Sequence, residues 1–183
     1  TPSRKKPEYC GCDLHWIGIK DAKRAHGGAV HETLENPHTL GINNSSARVL
    51  PAGTVCLSRT ASVGYVVKMG RDMATSQDFA NWVCSGLLDP DFLRYLFVVE
   101  GSALSRFSSG SVHQTIYYPE LKAFHVCIPS LDEQKRIVAV LDQAFAALDR
   151  ARAHAEANLA NAKELFDSAR RQLLSATGSG IAT

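Results

Sequence analysis

The last third of the chain is one uninterrupted helical pattern, and its periodicity limits what the molecule can be. Val138, Leu141, Phe145, Leu148, Arg152, Ala155, Leu159, Ala162, Phe166, Ala169 and Leu173 follow one another at alternating steps of three and four residues. That spacing is the a/d seam of a coiled coil, in which two rows of side chains face a partner helix. Arg152 is the one polar residue on the seam. One row turns small, from Leu141 and Leu148 to Ala155, Ala162 and Ala169, so a partner backbone can approach while the bulkier row fills the space beside it. An amphipathic helix gains most of its stability by burying its apolar stripe against another element. At about 1.5 Å per residue a helix from Asp132 to Ser175 would be roughly 65 Å long, the dimension of a spacer. No second long helix is found in the sequence to complete an intramolecular hairpin, so pairing between chains is expected. Arg152 either fixes register against an acid of the partner helix or turns its head outward to water.

The 183 residues suffice for one solid domain plus this arm. Hydrophobic residues make up 45% and charged residues 21%, the balance of a soluble globular protein. No apolar run approaches the ~18 residues of a membrane span. The opening Thr1-Pro2-Ser3-Arg4-Lys5-Lys6 is polar with no apolar stretch after it, so it does not read as a signal peptide. It also lacks an initiator methionine, and the chain is expected to be a fragment or a processed product. A net charge of +2 argues against non-specific coating of nucleic acid but allows a local basic face. The five cysteines, at 10, 12, 56, 84 and 127, form no disulfide framework and suggest a reducing cytoplasm. Cys10-Gly11-Cys12 with His15 resembles half a zinc site, but no second ligand pair stands at a usual spacing, and loop thiols are the better reading. Cys56 and Cys127 lie in apolar runs and are expected in the core.

Residues 1–131 read as short strands separated by turns. Trp16-Ile17-Gly18-Ile19 is an apolar segment, and Ala22 to His38 is polar and irregular, with turn signals at Gly27-Gly28 and Asn36-Pro37. Strands are expected at Thr54–Ser58, Ala61–Met69, Phe79–Cys84 and Leu121–Ile128. Asp89 caps a helix with Pro90 in its first turn, and Phe92, Leu93, Leu96, Phe97 and Val99 form its buried side. It is expected to end near Gly101 or to extend toward Arg106. Pro129-Ser130-Leu131 is the hinge, and Asp132 is expected to cap the long helix.

Catalytic signatures are missing. There is no phosphate-binding glycine loop, nucleophile elbow or metal-binding helix motif. Ser111 and His113 stand close in sequence, but such neighbours are rarely aligned as nucleophile and base. The seven histidines do not cluster at metal spacing.

Several stretches together resemble the specificity subunits of type I restriction–modification systems. They are Trp16-Ile17 followed by Asp21; Leu50-Pro51-Ala52-Gly53-Thr54-Val55; Thr75-Ser76-Gln77-Asp78-Phe79; Gly110-Ser111-Val112-His113-Gln114-Thr115-Ile116; and above all Ile128-Pro129-Ser130-Leu131-Asp132-Glu133-Gln134-Lys135-Arg136-Ile137-Val138 leading into the helix. Ser76 stands where Asn is common in the family, and Ser130 where a second Pro is common. The resemblance implies an α+β chain. A mixed α/β target recognition domain with a small, strongly bent β-sheet would occupy 1–131. A long coiled-coil-type helix for pairing and spacing would follow at 132–176, and a disordered tail at 177–183. It implies a non-catalytic subunit in a bacterial or archaeal cytoplasm that binds double-stranded DNA. Methylation and cleavage belong to methyltransferase and restriction subunits, so S-adenosylmethionine, ATP and magnesium are expected on those partners and no cofactor on this chain. Full-length members carry two such units in tandem with antiparallel helices. A chain with one unit would pair with itself or with a second such unit.

Reading DNA needs donors and acceptors for base edges and cations for phosphates. The basic segment Lys20 to Gly28, with Lys20, Lys23, Arg24 and His26, is the first candidate; its bland alternative is a solvated surface loop. Arg48 before a strand and Arg59 at the end of one could share its rim, or be ordinary surface charge. Thr75, Ser76 and Gln77 could read bases or bond backbone at a sheet bend. Because this motif carries the family resemblance while members read different sequences, a structural role is favoured. Ser109, Ser111, His113 and Gln114 present the same choice. A competing class is a coiled-coil assembly protein whose body binds protein and lacks DNA specificity. A third is a small metal enzyme built on Cys10, Cys12 and His15. The seam is testable on its own. Leu159→Asp is expected to split the paired helices, read as a fall in oligomeric mass by sedimentation; an unchanged mass would refute the seam.

Overall fold

The computed structural model describes residues 9, 11, 14–60, 62–105 and 115–178. It divides into two compact units, Thr1–Val138 and Ala139–Thr183. The first holds β1 (Trp16–Ile17), α1 (Ile19–Arg24), β2 (Ala29–Val30), α2 (Thr39–Asn43), β3 (Val55–Ser58), β4 (Val66–Met69), β5 (Ala74–Thr75), β6 (Phe79–Trp82), α3 (Pro90–Ser105) and α4 (Tyr118–Ala123). The last helix, α5, runs Leu131–Gly178, and its opening turns belong to the first unit. The expected α+β class with a small mixed sheet and a long C-terminal helix is what the structure has. Its strands form a four-stranded sheet of order β2-β4-β3-β6 and a separate pair, β1-β5. In the larger sheet β2 runs parallel to β4, and β3 lies antiparallel between β4 and β6. Among the described residues no helix is long and apolar enough to cross a membrane.

Strand alternation sorts side chains onto the two faces of the four-stranded sheet. Val55, Leu57 and Val66 pack with Leu93 and Phe97 of α3 and with Ile116. Cys56, Val67 and Met69 pack on the opposite face with Ile17, Ala22, Val30, Met73 and Phe79. Both faces are covered, which is why β3 and β4 are mostly apolar, with Ser58 and Lys68 the exceptions, instead of alternating with polar residues. Asp89 caps α3 as the sequence suggests, its Oδ1 accepting from the backbone N–H of Asp91 at 2.9 Å and of Phe92 at 3.0 Å. Phe92, Leu93 and Phe97 are buried, but Val99 is 75% exposed, against expectation. At 100° per residue it falls about 90° from the centre of the buried arc.

A partly buried ion cluster fixes α3 to the sheet. Lys68 Nζ of β4 donates to both carboxylate oxygens of Asp91, at 2.7 and 2.6 Å. Arg94 Nε donates to the same carboxylate at 3.1 Å, and its other end donates to the carbonyl of Gly27. Burial pushes the Asp91 carboxyl up, but the bonds and charges of Lys68 and Arg94 outweigh it and hold the group below its ordinary range.

Several sequence expectations are corrected. The segment Lys20–Gly28 begins as a helix, not an irregular loop, because Asp21 Oδ2 reaches back to the Gly18 N–H at 3.1 Å and closes the first turn of α1. The strand expected from Ala61 starts only at Val66, since Gly64 takes φ +100° in a turn. The strand expected at Leu121–Ile128 is absent. Pro119 opens α4 at a position where proline's missing N–H costs nothing, and 124–130 has no regular structure. Cys127 is accordingly exposed, while Cys56 is buried. Thr177 and Gly178 are still helical; residues 179–183 lie outside the described residues.

The start of α5 is capped by Ser130, not by Asp132. The Gln134 N–H donates to the Ser130 carbonyl at 2.9 Å, and the Glu133 N–H to its Oγ at 3.4 Å. Gln134 itself is fully buried. Its Nε2 donates to the carbonyls of Leu87 at 3.1 Å and Pro129 at 2.9 Å, and its Oε1 accepts from the Asp89 N–H at 2.8 Å. Gln134→Leu keeps the volume and removes the side-chain partner of three backbone groups. It is expected to lower the stability of the first unit by about 3 kcal/mol, measured by urea denaturation; a loss under about 0.5 kcal/mol would refute the anchoring role.

Candidate functional site

Between β5 and β6 the chain makes a short ridge, Ser76-Gln77-Asp78, whose parts are held in different ways. The Ser76 N–H donates to the Ile17 carbonyl at 3.1 Å, continuing the line of the β1-β5 pair. The Asp78 carboxylate collects two hydroxyls, Thr60 Oγ1 at 2.5 Å and Ser76 Oγ at 2.9 Å. The Asn81 amide donates to Thr75 Oγ1 at 2.8 Å. The Arg59 N–H donates to the Asp78 carbonyl at 2.7 Å, and the Arg59 guanidinium to the Gln77 carbonyl at 3.1 Å. Thr75 and Ser76 are buried, and Gln77, between two anchored neighbours, is exposed.

Two clefts share Ser76 and Gln77 as a common wall. The first, about 590 Å³, also takes Arg48, Arg59, Asn81, Trp82, Tyr118 and Lys122, and among the described residues no carboxylate lines it. Here Arg59 stacks over the Tyr118 ring at 4.8 Å from its centroid. The second, about 500 Å³, sets Lys20 among Asp21, Glu35 and Asp78. A third hollow, about 450 Å³, gathers His26 with Ser62, Tyr65 and Gly64.

The candidate residues therefore fall into groups. Arg48, Arg59, Ser76 and Gln77 are brought together in the first cleft, and Lys20 joins Ser76 and Gln77 in the second. Lys23 and Arg24 lie exposed on α1 and line none of the three hollows. Arg24 instead donates to Asp21 at 3.3 Å and to the Glu32 carbonyl at 3.0 Å. It thereby helps to neutralise a carboxylate that is 2% exposed and also accepts from the Leu34 N–H at 3.0 Å. His26 Nδ1 accepts from the Val66 N–H at 3.1 Å, and its ring meets Tyr65 edge to face. Ser109, Ser111, His113 and Gln114 lie outside the described residues, as do Cys10 and Cys12. The ring nitrogens of His15 face Thr33 Oγ1 at 3.2 Å and an Arg71 guanidinium nitrogen at 2.9 Å.

Sequence reasoning missed Tyr118, Lys122 and Asn81. Reading 121–128 as a strand hid the helix that carries the first two. The signal was available in Pro119, one residue after Tyr118, and in the four-residue step from Tyr118 to Lys122, which places both on one face of a helix.

The second candidate surface is the seam of α5, described by itself. Leu148, Leu159 and Phe166 are 63%, 58% and 67% exposed. Phe145, Leu173 and the alanines Ala155, Ala162 and Ala169 are also exposed, while Val138 and Leu141 are half-buried. Arg152 Nε donates to Glu156 of the same helix at 2.9 Å.

Comparison with known proteins gives consistent results. The family model described as Type I restriction modification DNA specificity domain matches residues 4–157. A curated relative, the type I restriction enzyme MjaIX specificity subunit of Methanocaldococcus jannaschii, is 31% identical over 143 residues, covering 77% of this chain and 33% of its own length. Among solved structures, a chain from work on complex assembly and conformational transition of the type I R-M system superposes with a TM-score of 0.63. It is 25% identical and covers 87% of this chain and 38% of that one. The type I S subunit from M. genitalium shares the fold at a TM-score of 0.54 and 14% identity, covering 81% and 36%. The chain spans about a third of the length of the curated relatives it matches.

The ridge geometry separates support from presentation. Asp78→Ala releases two hydroxyls and is expected to cost about 2 kcal/mol of stability. Gln77→Ala is expected to stay within about 0.5 kcal/mol of wild type. Thermal denaturation of both variants checks this, and equal losses would show that Gln77 also supports the ridge.

Proposed function

This chain belongs to the family of type I restriction–modification DNA specificity domains, and from that membership we propose that it reads one half of a bipartite duplex-DNA target. The observation that carries the reading is the ridge. An exposed amide stands between two polar clefts, held by neighbours whose own polar groups are engaged within the protein. A glutamine amide offers both a donor and an acceptor to a base edge in the major groove, and cations beside it suit phosphates. Arg48 and Arg59 are the cations beside the ridge in this reading, while Lys20 stands among carboxylates on its other side. Lys23 is a peripheral contact, and Arg24 is a brace for α1.

In the same reading α5 spaces and pairs. Its exposed apolar seam supports an antiparallel partner, either a second copy of this chain or a second unit of the same kind. The small row at Ala155, Ala162 and Ala169 sets how closely that partner lies. Arg152 closes an ion pair along its own helix and is not required for pairing. The chain carries no catalytic role of its own. Methyltransferase and restriction subunits dock to it and bring S-adenosylmethionine, ATP and magnesium, within a bacterial or archaeal cytoplasm.

The test is a genome-wide map of modified adenines in host cells with and without this chain. Loss of one two-part motif on deletion is expected. A palindromic motif identifies a self-paired chain, and an asymmetric motif identifies a different second unit. No change in cells with a demonstrably active methyltransferase partner would overturn the proposal and favour a coiled-coil assembly protein.

A further inference from the structure

Three cations converge on the first cleft from three separate parts of the fold. Arg48 comes from the loop after α2, Arg59 from the end of β3, and Lys122 from α4. In the same unit Arg24, Lys68, Arg71 and Arg94 each lie within ion-pair distance of a carboxylate. Arg48, Arg59 and Lys122 pair with no carboxylate among the described residues, and none lines the cleft. Arg48 donates only to its neighbour's carbonyl, Ala47, at 2.9 Å. Uncompensated positive charge held at one concave place is a standing attraction for an anion.

Arg59 is also preorganised. Its backbone is fixed on both sides, by its N–H to Asp78 and by its carbonyl accepting from the Ile116 N–H at 2.8 Å. Its guanidinium is oriented by the Gln77 carbonyl and the Tyr118 face. Yet its Nε is buried with no hydrogen-bond partner. A small slide of the guanidinium on the ring would offer that N–H to an entering oxyanion. The side chain is thus held ready and left one acceptor short.

We propose that this cleft seats the sugar–phosphate backbone of one DNA strand, with Arg48, Arg59 and Lys122 holding it independently of sequence. The inference rests on the DNA-reading proposal and adds the division of labour within it. Guanidinium and ammonium groups donate and never accept. A phosphodiester accepts and never donates, whereas base edges present both. A cleft whose three charged groups are all donors therefore matches the backbone. The neighbouring cleft sets one lysine among three carboxylates and repels a strand. The ridge between them is then placed at the groove edge by a contact made on one side only.

The experiment uses the full 183-residue chain and a randomised 30-base-pair duplex library. Binding of the selected duplex and of a scrambled one is then measured against sodium chloride. The variants are Arg48→Gln, Arg59→Gln and Lys122→Gln. Each is expected to weaken both duplexes by the same factor and to reduce the slope of log affinity against log salt by about 0.9, with the selected bases unchanged. Relaxed preference at one base pair with an unchanged slope would overturn the proposal and make the residue a base reader. Unchanged affinity and slope in all three would show that the cleft carries no DNA. If Arg59→Gln fails to fold, the exposed Arg48 and Lys122 decide the matter alone. If the wild type selects no motif, the specificity reading falls instead. The cleft is then judged by the scrambled-duplex slopes, where no change overturns it.

Discussion

The buried amide of Gln134 is the contact that fastens the start of α5 to the first unit. A glutamine side chain has two N–H groups and a carbonyl, and here both Nε2 and Oε1 bond backbone atoms that have no other partner of regular structure. The Leu87 carbonyl and the Asp89 N–H flank the start of α3, and the Pro129 carbonyl immediately precedes α5. One side chain thus ties the turn that leads into α3 to the entry of α5. A charged residue of similar reach could not do this without a counter-charge, and an apolar one would leave three groups stranded. The helix beyond Val138 is described by itself. Its charges are balanced along its own length by pairs such as Arg152–Glu156 and Asp167–Arg170, which are exposed and weak.

The recognition end follows the opposite principle. Around the ridge, hydroxyls, amides and carboxylates bond to one another until one amide is left facing outward. Asp78 binds Thr60 and Ser76, and Thr75 receives Asn81. Neither hydroxyl has a proton left to donate elsewhere. The two clefts differ in sign although they share a wall, so an approaching polyanion has one favourable side.

Much of this was legible in the residues. The step pattern from Val138 to Leu173 needs no tertiary information, because helical periodicity is local. The Asp89-Pro90 start of α3 is equally local, and so are the apolar runs of β3, β4 and β6. The errors arose where one residue overrides its neighbours. Asp21 converts a basic, glycine-flanked stretch into a helix, and Pro119 does the same for an apolar run that otherwise reads as strand. Strands of two residues, such as β1, β2 and β5, carry too little periodicity to be read before their partners are known. At the candidate site, Arg48, Arg59, Ser76 and Gln77 were named from motif and charge, but their convergence depends on long-range pairing. Lys122 could not join them while α4 was hidden. Gln134 stood inside the most distinctive motif, yet nothing in the sequence revealed that its amide is buried.

The outward-facing amide has an evolutionary corollary. A side chain that supports none of its neighbours can be exchanged without refolding the ridge, so position 77 is a place where substitutions drift freely on stability grounds. Thr60, Ser76 and Asp78 are mutually dependent, and a change in any one exposes the other two to selection. Under the DNA-reading proposal, lineages could explore new targets one side chain at a time while the scaffold beneath stays the same.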